Sequence, residues 1–215
     1  MRQFLRINLF LSSILCLALV SCSPASGHKF VRTAIVTDKD VHPIVNKNTS
    51  LLYKAKIDLF NRHFSGLIVL KQLDETTSHL TFVTEIGMKM FDYEIRDKDF
   101  KLVYVFEPLN KPKITKLLTE DMKLILLQHL LNHDANMYEK EDHKVYKVKE
   151  DFRYYYAITN KTQNVGKIIK KGTLFKKVKV LYLYNDSLNA SKIKLKHKGL
   201  IRLKIELNAI TKTAS

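Results

Sequence analysis

The sequence predicts a mainly β fold of the α+β kind, an antiparallel sheet carrying one apolar helix. Three observations predict it. About eleven short segments alternate apolar and polar residues with period two. Short polar or Gly-containing turns separate them, and a single stretch, 110–133, switches to helical spacing. With 6 Gly, 4 Pro and no Trp in 215 residues, and no self-similar repeat, strands spaced this regularly make a sandwich, a barrel or a strongly curved sheet.

The chain opens with "MRQFLRINLFLSSILCLALVSCS". Arg2 and Arg6 precede an apolar run from Ile7 to Val20, and small residues lead to Cys22. That pattern is a secretory signal peptide, too short and wrongly flanked for a stable span. Leu19-Val20-Ser21-Cys22 is similar to the bacterial lipobox, whose Cys sulfur takes diacylglycerol as a thioether before cleavage leaves it as the new N-terminus. The alternative is an ordinary cleaved leader with an incidental cysteine. The expected division is therefore 1–21 as lipoprotein signal peptide, 22–48 as lipidated N-terminus and tether, and 49–215 as the folded domain. Each acyl methylene buried in a bilayer contributes about 0.8 kcal/mol, so palmitate-type chains on Cys22 anchor the protein permanently. Ser23, rather than Asp, follows the cysteine, which by analogy with enterobacterial sorting argues against inner-membrane retention; the expected location is the outer membrane, on its periplasmic face. Cys16 leaves with the leader and Cys22 is consumed by lipid, so no disulfide or cysteine metal site is expected.

Lys and Arg number 37 against 21 Asp and Glu, a net charge of +16. Losing Arg2 and Arg6 leaves the chain strongly basic. Lys192, Lys194, Lys196 and Lys198 alternate with Ile193, Leu195 and His197, and Arg202, Lys204 and Glu206 with Ile201, Leu203, Ile205 and Leu207. Period two with one basic and one apolar face means strands. The lysine face reads as a solvated surface that discourages edge-to-edge aggregation, or as a surface attracted to anionic headgroups. No nucleic-acid signature accompanies it, and no nucleic-acid partner is expected.

In order along the chain, strands are expected at 51–60, 64–73, 78–85, 89–95 and 100–107, then at 143–150, 152–159, 165–172 and 177–184, with two terminal strands after them. Between the two sets, "NKPKITKLLTEDMKLILLQHLLNH" puts Pro112 in a tolerated first-turn position and Ile114, Leu117, Leu118, Met122 and Ile125 at helical intervals. Its second half is apolar nearly all round, so it is buried on more than one side. Thr119, before Glu120 and Asp121, could cap a second short helix.

A lipobox, a five-strand meander, an apolar helix and a basic terminal strand pair together resemble the LolA/LolB-like group, periplasmic carriers and outer-membrane receptors of bacterial lipoproteins. The resemblance spans about residues 50–210 and is local only over "VTEIGMKMFDYEI" and the helix after it. It implies a curved antiparallel sheet forming an incomplete β-barrel covered by a helical lid. It also implies an apolar ligand, acyl chains or a lipoprotein or phospholipid, held against Leu59, Leu70, Phe82, Tyr93, Leu102 and Tyr104 of the sheet and Leu117, Met122 and Ile125 of the helix; Val180 and Leu203 belong to the same expected lining. Ile86-Gly87 matches the protruding apolar residue before a glycine that such receptors use to put cargo into the membrane. The chain departs from the group in having no Trp and in its lysine excess. The rival reading is a structural or assembly lipoprotein with a filled core and a basic interaction face.

No enzyme is expected. The chain has no G-x-S-x-G, P-loop or G-x-G-x-x-G. His129 and His133 stand four apart, as zinc ligands on a helix do, but Leu130 occupies the position where HEXXH has its glutamate. They read instead as polar residues closing a helix C-terminus. Glu85, Asp92, Glu94 and Glu107 lie on strands whose polar faces produce such neighbours by chance. Neither cofactor nor metal is expected, and the protein is read as a monomer.

Overall fold

The computed structural model describes residues 23–44, 50–74, 76–96, 99–172, 177–185, 189–198 and 202–210. The leader and Cys22 lie outside the described residues. The strands are β1 (Lys29–Ile35), β2 (Ser50–Leu59), β3 (Arg62–Gln72), β4 (Thr77–Thr84), β5 (Lys89–Arg96), β6 (Asp99–Val105), β7 (Asp134–Lys140), β8 (His143–Glu150), β9 (Arg153–Thr159), β10 (Val165–Lys171), β11 (Lys177–Tyr184), β12 (Ala190–Lys198) and β13 (Leu203–Ala209). Among the described residues there is one α-helix, α1 (Pro112–Ile125), which follows a 3-10 turn at Glu107–Leu109. All thirteen strands join one antiparallel sheet in the order β1-β7-β8-β9-β10-β11-β12-β13-β2-β3-β4-β5-β6. Two meanders are therefore spliced where the last strand pairs with β2, Leu203 opposite Leu59 and Ala209 opposite Tyr53. The sheet is curved and open, with β1 and β6 as its edges.

Alternation decides which face is interior. Tyr53, Ala55, Ile57 and Leu59 of β2 are buried, while Lys54 and Lys56 between them are exposed. Ile193 and Leu195 of β12, and Leu203, Ile205 and Leu207 of β13, continue the buried face across the sheet. Each fully buried Leu, Ile or Phe contributes roughly 1.5–3 kcal/mol relative to exposure, which makes the inward register costly to slip. An aromatic ladder runs along the β4–β6 side, with Phe82–Phe91, Phe91–Tyr93 and Tyr93–Phe100 ring centroids 5.4, 5.5 and 4.9 Å apart.

Residues 29–44 belong to the domain, which corrects the expected tether over 22–48. Lys29–Ile35 is edge strand β1, paired with β7. Val36, Val41 and Ile44 are buried in the core, and the Tyr146 hydroxyl donates to the Asp40 carbonyl at 3.2 Å. β1 escapes a period-two reading because six of its seven residues are exposed, on both faces. β7 was concealed by the helical reading that ran on to its threshold.

That helical reading is also shortened. α1 stops at Ile125, where the Tyr182 hydroxyl donates to the carbonyls of Leu124 and Ile125 at 3.0 and 3.1 Å. Leu127 then takes φ 62, and residues 126–133 form turns that remain largely buried. Thr119 caps no second helix; its hydroxyl donates to the Tyr93 hydroxyl at 3.2 Å. No helix among the described residues is long and apolar enough to cross a membrane.

Candidate functional site

Helix α1 lies against the core face of the sheet, touching β6 at one side and β12 at the other. Pro112 starts it without sacrificing a hydrogen bond. Leu118, Met122 and Ile125 repeat at helical spacing and are buried, with Leu117 and Ile114 half-buried beside them. Leu59, Leu70, Phe82, Tyr93, Val180 and Leu203 are buried in the same core, and Leu102 is half-buried against it.

Tyr104 does not line this interior. β5 and β6 pair Asp92 with Tyr104 but Tyr93 with Leu102, so Val103 is an extra residue in the ladder. The bulge turns Tyr104 outward, 42% exposed, with the Lys89 ammonium 5.7 Å from its ring centre. A bulge re-aims the residues beyond it, and simple alternation cannot register one.

The interior is closely filled. Two cavities of about 10 Å³ each lie along the seam between the sheet and the helical segment with its following turns. One is bounded by Leu124, Leu127, Leu130, Ala157, Ile168 and the His129 and Tyr155 rings. The other brings Leu70, Met122 and Ile125 together with Ile44, Tyr53, Ile68 and Leu80, among others. Each is about the size of one water probe, so neither admits an acyl chain.

On the β9–β12 side the seam is ionic. Asp121, buried on the helix, accepts from His197 Nε2 at 2.7 Å. Burial raises the Asp121 pKa, and the His197 hydrogen bond only partly offsets that. Glu120 accepts from Lys170 Nζ at 2.9 Å and Arg153 at 3.3 Å. Burial works to raise Glu120, but the Lys170 hydrogen bond and charge outweigh it and lower its pKa. His129 Nδ1 lies 3.0 Å from Glu150, and its ring stacks on Tyr155 at 4.4 Å. Burial works to raise Glu150 as well, but the hydrogen bond and charge of His129, the charge of His133 and a Tyr155 hydrogen bond together outweigh it and lower its pKa. His129 and His133 therefore sit in turns beyond α1, both against Glu150. No group of three or more metal-ligating side chains arises among the described residues.

This ionic seam was not anticipated from sequence. Its signals were a histidine on the apolar face of the β12 pattern, His197, and an acid on the apolar face of the helix, Asp121. Only the fold shows that they meet. The four carboxylates noted in the sequence do not converge. Glu85 and Glu107 are exposed, whereas Asp92 and Glu94 share an outer-surface network with His79, Lys89 and Arg96.

The turn 85–88 stands away from this interior. Ile86 is 86% exposed and Gly87 has φ +83, a left-handed conformation that glycine adopts without penalty. Backbone bonds from Gly87 to Thr84 and from Thr84 to Met88 hold the turn, and the Glu85 amide donates to Ser65 on β3. Ser65 precedes Gly66, where an added Cβ would lie 2.0 Å from the Val83 carbonyl oxygen. The close approach of β3 and β4 below the turn thus depends on that glycine.

No family model and no curated protein matches the sequence. Among solved structures, the chain is similar to a LolA superfamily protein from Nitrosomonas europaea, with a TM-score of 0.50 at 8% identity, covering 83% of this chain and 93% of that one. At that identity the likeness concerns architecture: the thirteen-stranded open sheet with its helix is a LolA-like fold.

Proposed function

We propose that the protein is a lipid-anchored periplasmic binder of an apolar ligand, acyl chains or a lipoprotein, whose helix α1 acts as a lid and whose Ile86-Gly87 turn passes cargo to the outer membrane. The form described above is then the closed one. The observation that carries this reading is the seam: α1 shares no backbone ladder with the sheet, one small cavity lies beneath its Met122 and Ile125, and a second, reached by Leu124, lies under the turns that follow it. Lifting Leu118, Met122 and Ile125 off the sheet would expose an apolar trough in which each ligand methylene gains about 0.8 kcal/mol. Anchoring through Cys22 follows from the lipobox-like "LVSC". Anionic headgroups are the partner of the lysine face, and the working unit is a monomer with no cofactor and no catalytic role.

The same small cavities favour a second reading, a structural or assembly lipoprotein whose filled core binds nothing. Purification followed by lipid extraction and mass spectrometry separates the two. Acyl lipids co-purifying in stoichiometric amount support the binder, whereas their absence, with no uptake of a fluorescent fatty acid, leaves the scaffold. For the turn, Ile86→Glu is expected to abolish transfer of acylated cargo into liposomes while leaving the melting temperature nearly unchanged. A large fall in melting temperature would assign Ile86 a packing role instead.

A further inference from the structure

The antiparallel register sorts the turns between two ends of the sheet. Leu59 pairs with both Arg62 and Leu203, Val83 with Lys89, and Glu150 with Arg153. The turns bearing Phe60, Ile86 and Phe152 therefore all emerge at one end. These side chains are 53%, 86% and 80% exposed. Phe60 also has φ 53, a conformation that a bulky residue adopts at a cost and that Asn or Gly would take more readily. Turn geometry alone does not explain a phenylalanine there. At the opposite end the described tips are polar, with Asp74 capping Thr76 and Thr77, the pair Glu141-Asp142, and Asn160 bonding Thr162. Leu73 beside Asp74 and Ile210 after β13 are the apolar exceptions at these tips, 56% and 44% exposed, and Leu183 and Phe30 are exposed near the same ends of β11 and β1.

Just below the apolar tips, one outer-face row runs across four strands as Lys179, Lys196, Lys204 and Asp58. Like charges directly opposite one another destabilise a sheet, and here two such pairs are adjacent. Three apolar tips above a row of cations match an anionic phospholipid bilayer: apolar groups enter the headgroup boundary, and each nearby cation strengthens adsorption.

The geometry points to this end of the sheet as a docking surface for anionic membrane, with Phe60, Ile86 and Phe152 entering the interface and Lys179, Lys196 and Lys204 held against the headgroups. The inference rests on the part of the proposed function that puts Ile86 and the lysine face against membrane, and deepens it; it needs no bound ligand, so the ligand-binding reading, tested by lipid extraction, stands or falls separately. The chain has no Trp, so single replacements report position directly. Full-length protein with Cys22→Ser, so that no acyl anchor brings it to the vesicle, and carrying Phe152→Trp, Phe60→Trp or, at the far end, Leu73→Trp is added to phosphatidylcholine vesicles with and without phosphatidylglycerol, both with brominated acyl chains. Expected is strong quenching at 152 and 60, only with phosphatidylglycerol, and little at 73. Equal quenching at all three, quenching indifferent to lipid charge, or none at the tips would overturn the assignment; the last would leave a protein partner for this end. Lys196→Gln supplies an independent readout. It should weaken vesicle affinity about fivefold while raising the melting temperature by relieving its two lysine neighbours. A loss of affinity accompanied by a lower melting temperature would count against the row's role.

Discussion

Helix α1 is held differently on its two sides. Towards β4–β6 it faces the aromatic ladder of Phe82, Phe91, Tyr93 and Phe100, where packing is mainly dispersive and grades with distance, with the Thr119–Tyr93 hydroxyl pair as a neutral hydrogen bond. Towards β9–β12 it is held by Asp121–His197 and by Glu120 with Lys170 and Arg153. Such bonds are directional and respond to protonation. The aromatic side thus supplies packing that is indifferent to pH, and the ionic side supplies registration and a dependence on pH.

Truncation at the shared apolar face should have the largest effect. Met122 is fully buried, and Met122→Ala is expected to cost about 2–5 kcal/mol, read from the urea midpoint at neutral pH. A cost below about 1 kcal/mol would show that the helix is only loosely seated. Glu120→Gln comes next, because it leaves Lys170, 14% exposed at its side chain, without its charged partner; about 1–3 kcal/mol is expected. The wild-type carboxylate has its pKa lowered from 4.5. Its contribution is therefore complete above that value and disappears as the pH falls through the lower folded one. The variant should show a flatter acid limb in stability against pH.

The smallest effect is expected at Asp121, where the sign reverses. Its pKa is raised from 3.8, so as the pH climbs from there to the folded value the native state retains a proton that the unfolded chain has lost. Stability falls across that window, and the cost persists above it. Asp121→Asn keeps an acceptor for His197 and should change neutral-pH stability by less than about 1 kcal/mol while removing this downward slope. An unaltered slope would place its origin in another group.

These contrasts bear on what the sequence could show. Strands with one wet and one dry face, such as β2 and β12, are visible as alternation because solvent and core select opposite residue types at successive positions. β1 has almost no dry face and so no alternation. The run "LILLQHLLNH" is apolar enough to prolong a helix on paper, yet the chain turns at Leu127, where the Tyr182 hydroxyl and the neighbouring core stop it. Tyr104 was misplaced by the single extra residue at Val103. The apolar lining of the helix seat was legible because it repeats. The ionic half was not, since Asp121 and His197 stand 76 residues apart and only the fold brings them together.

The splice of β13 onto β2 dictates the order in which the molecule can be completed. The meander from β2 to β6 closes locally as soon as it is made, but its outer edge at β2 waits for residues 203–209, about a hundred residues after β6 in the chain. Until they arrive, two half-sheets exist with an unzipped backbone edge apiece. A chain cut before Leu203 should therefore stick to other copies rather than merely lose one strand.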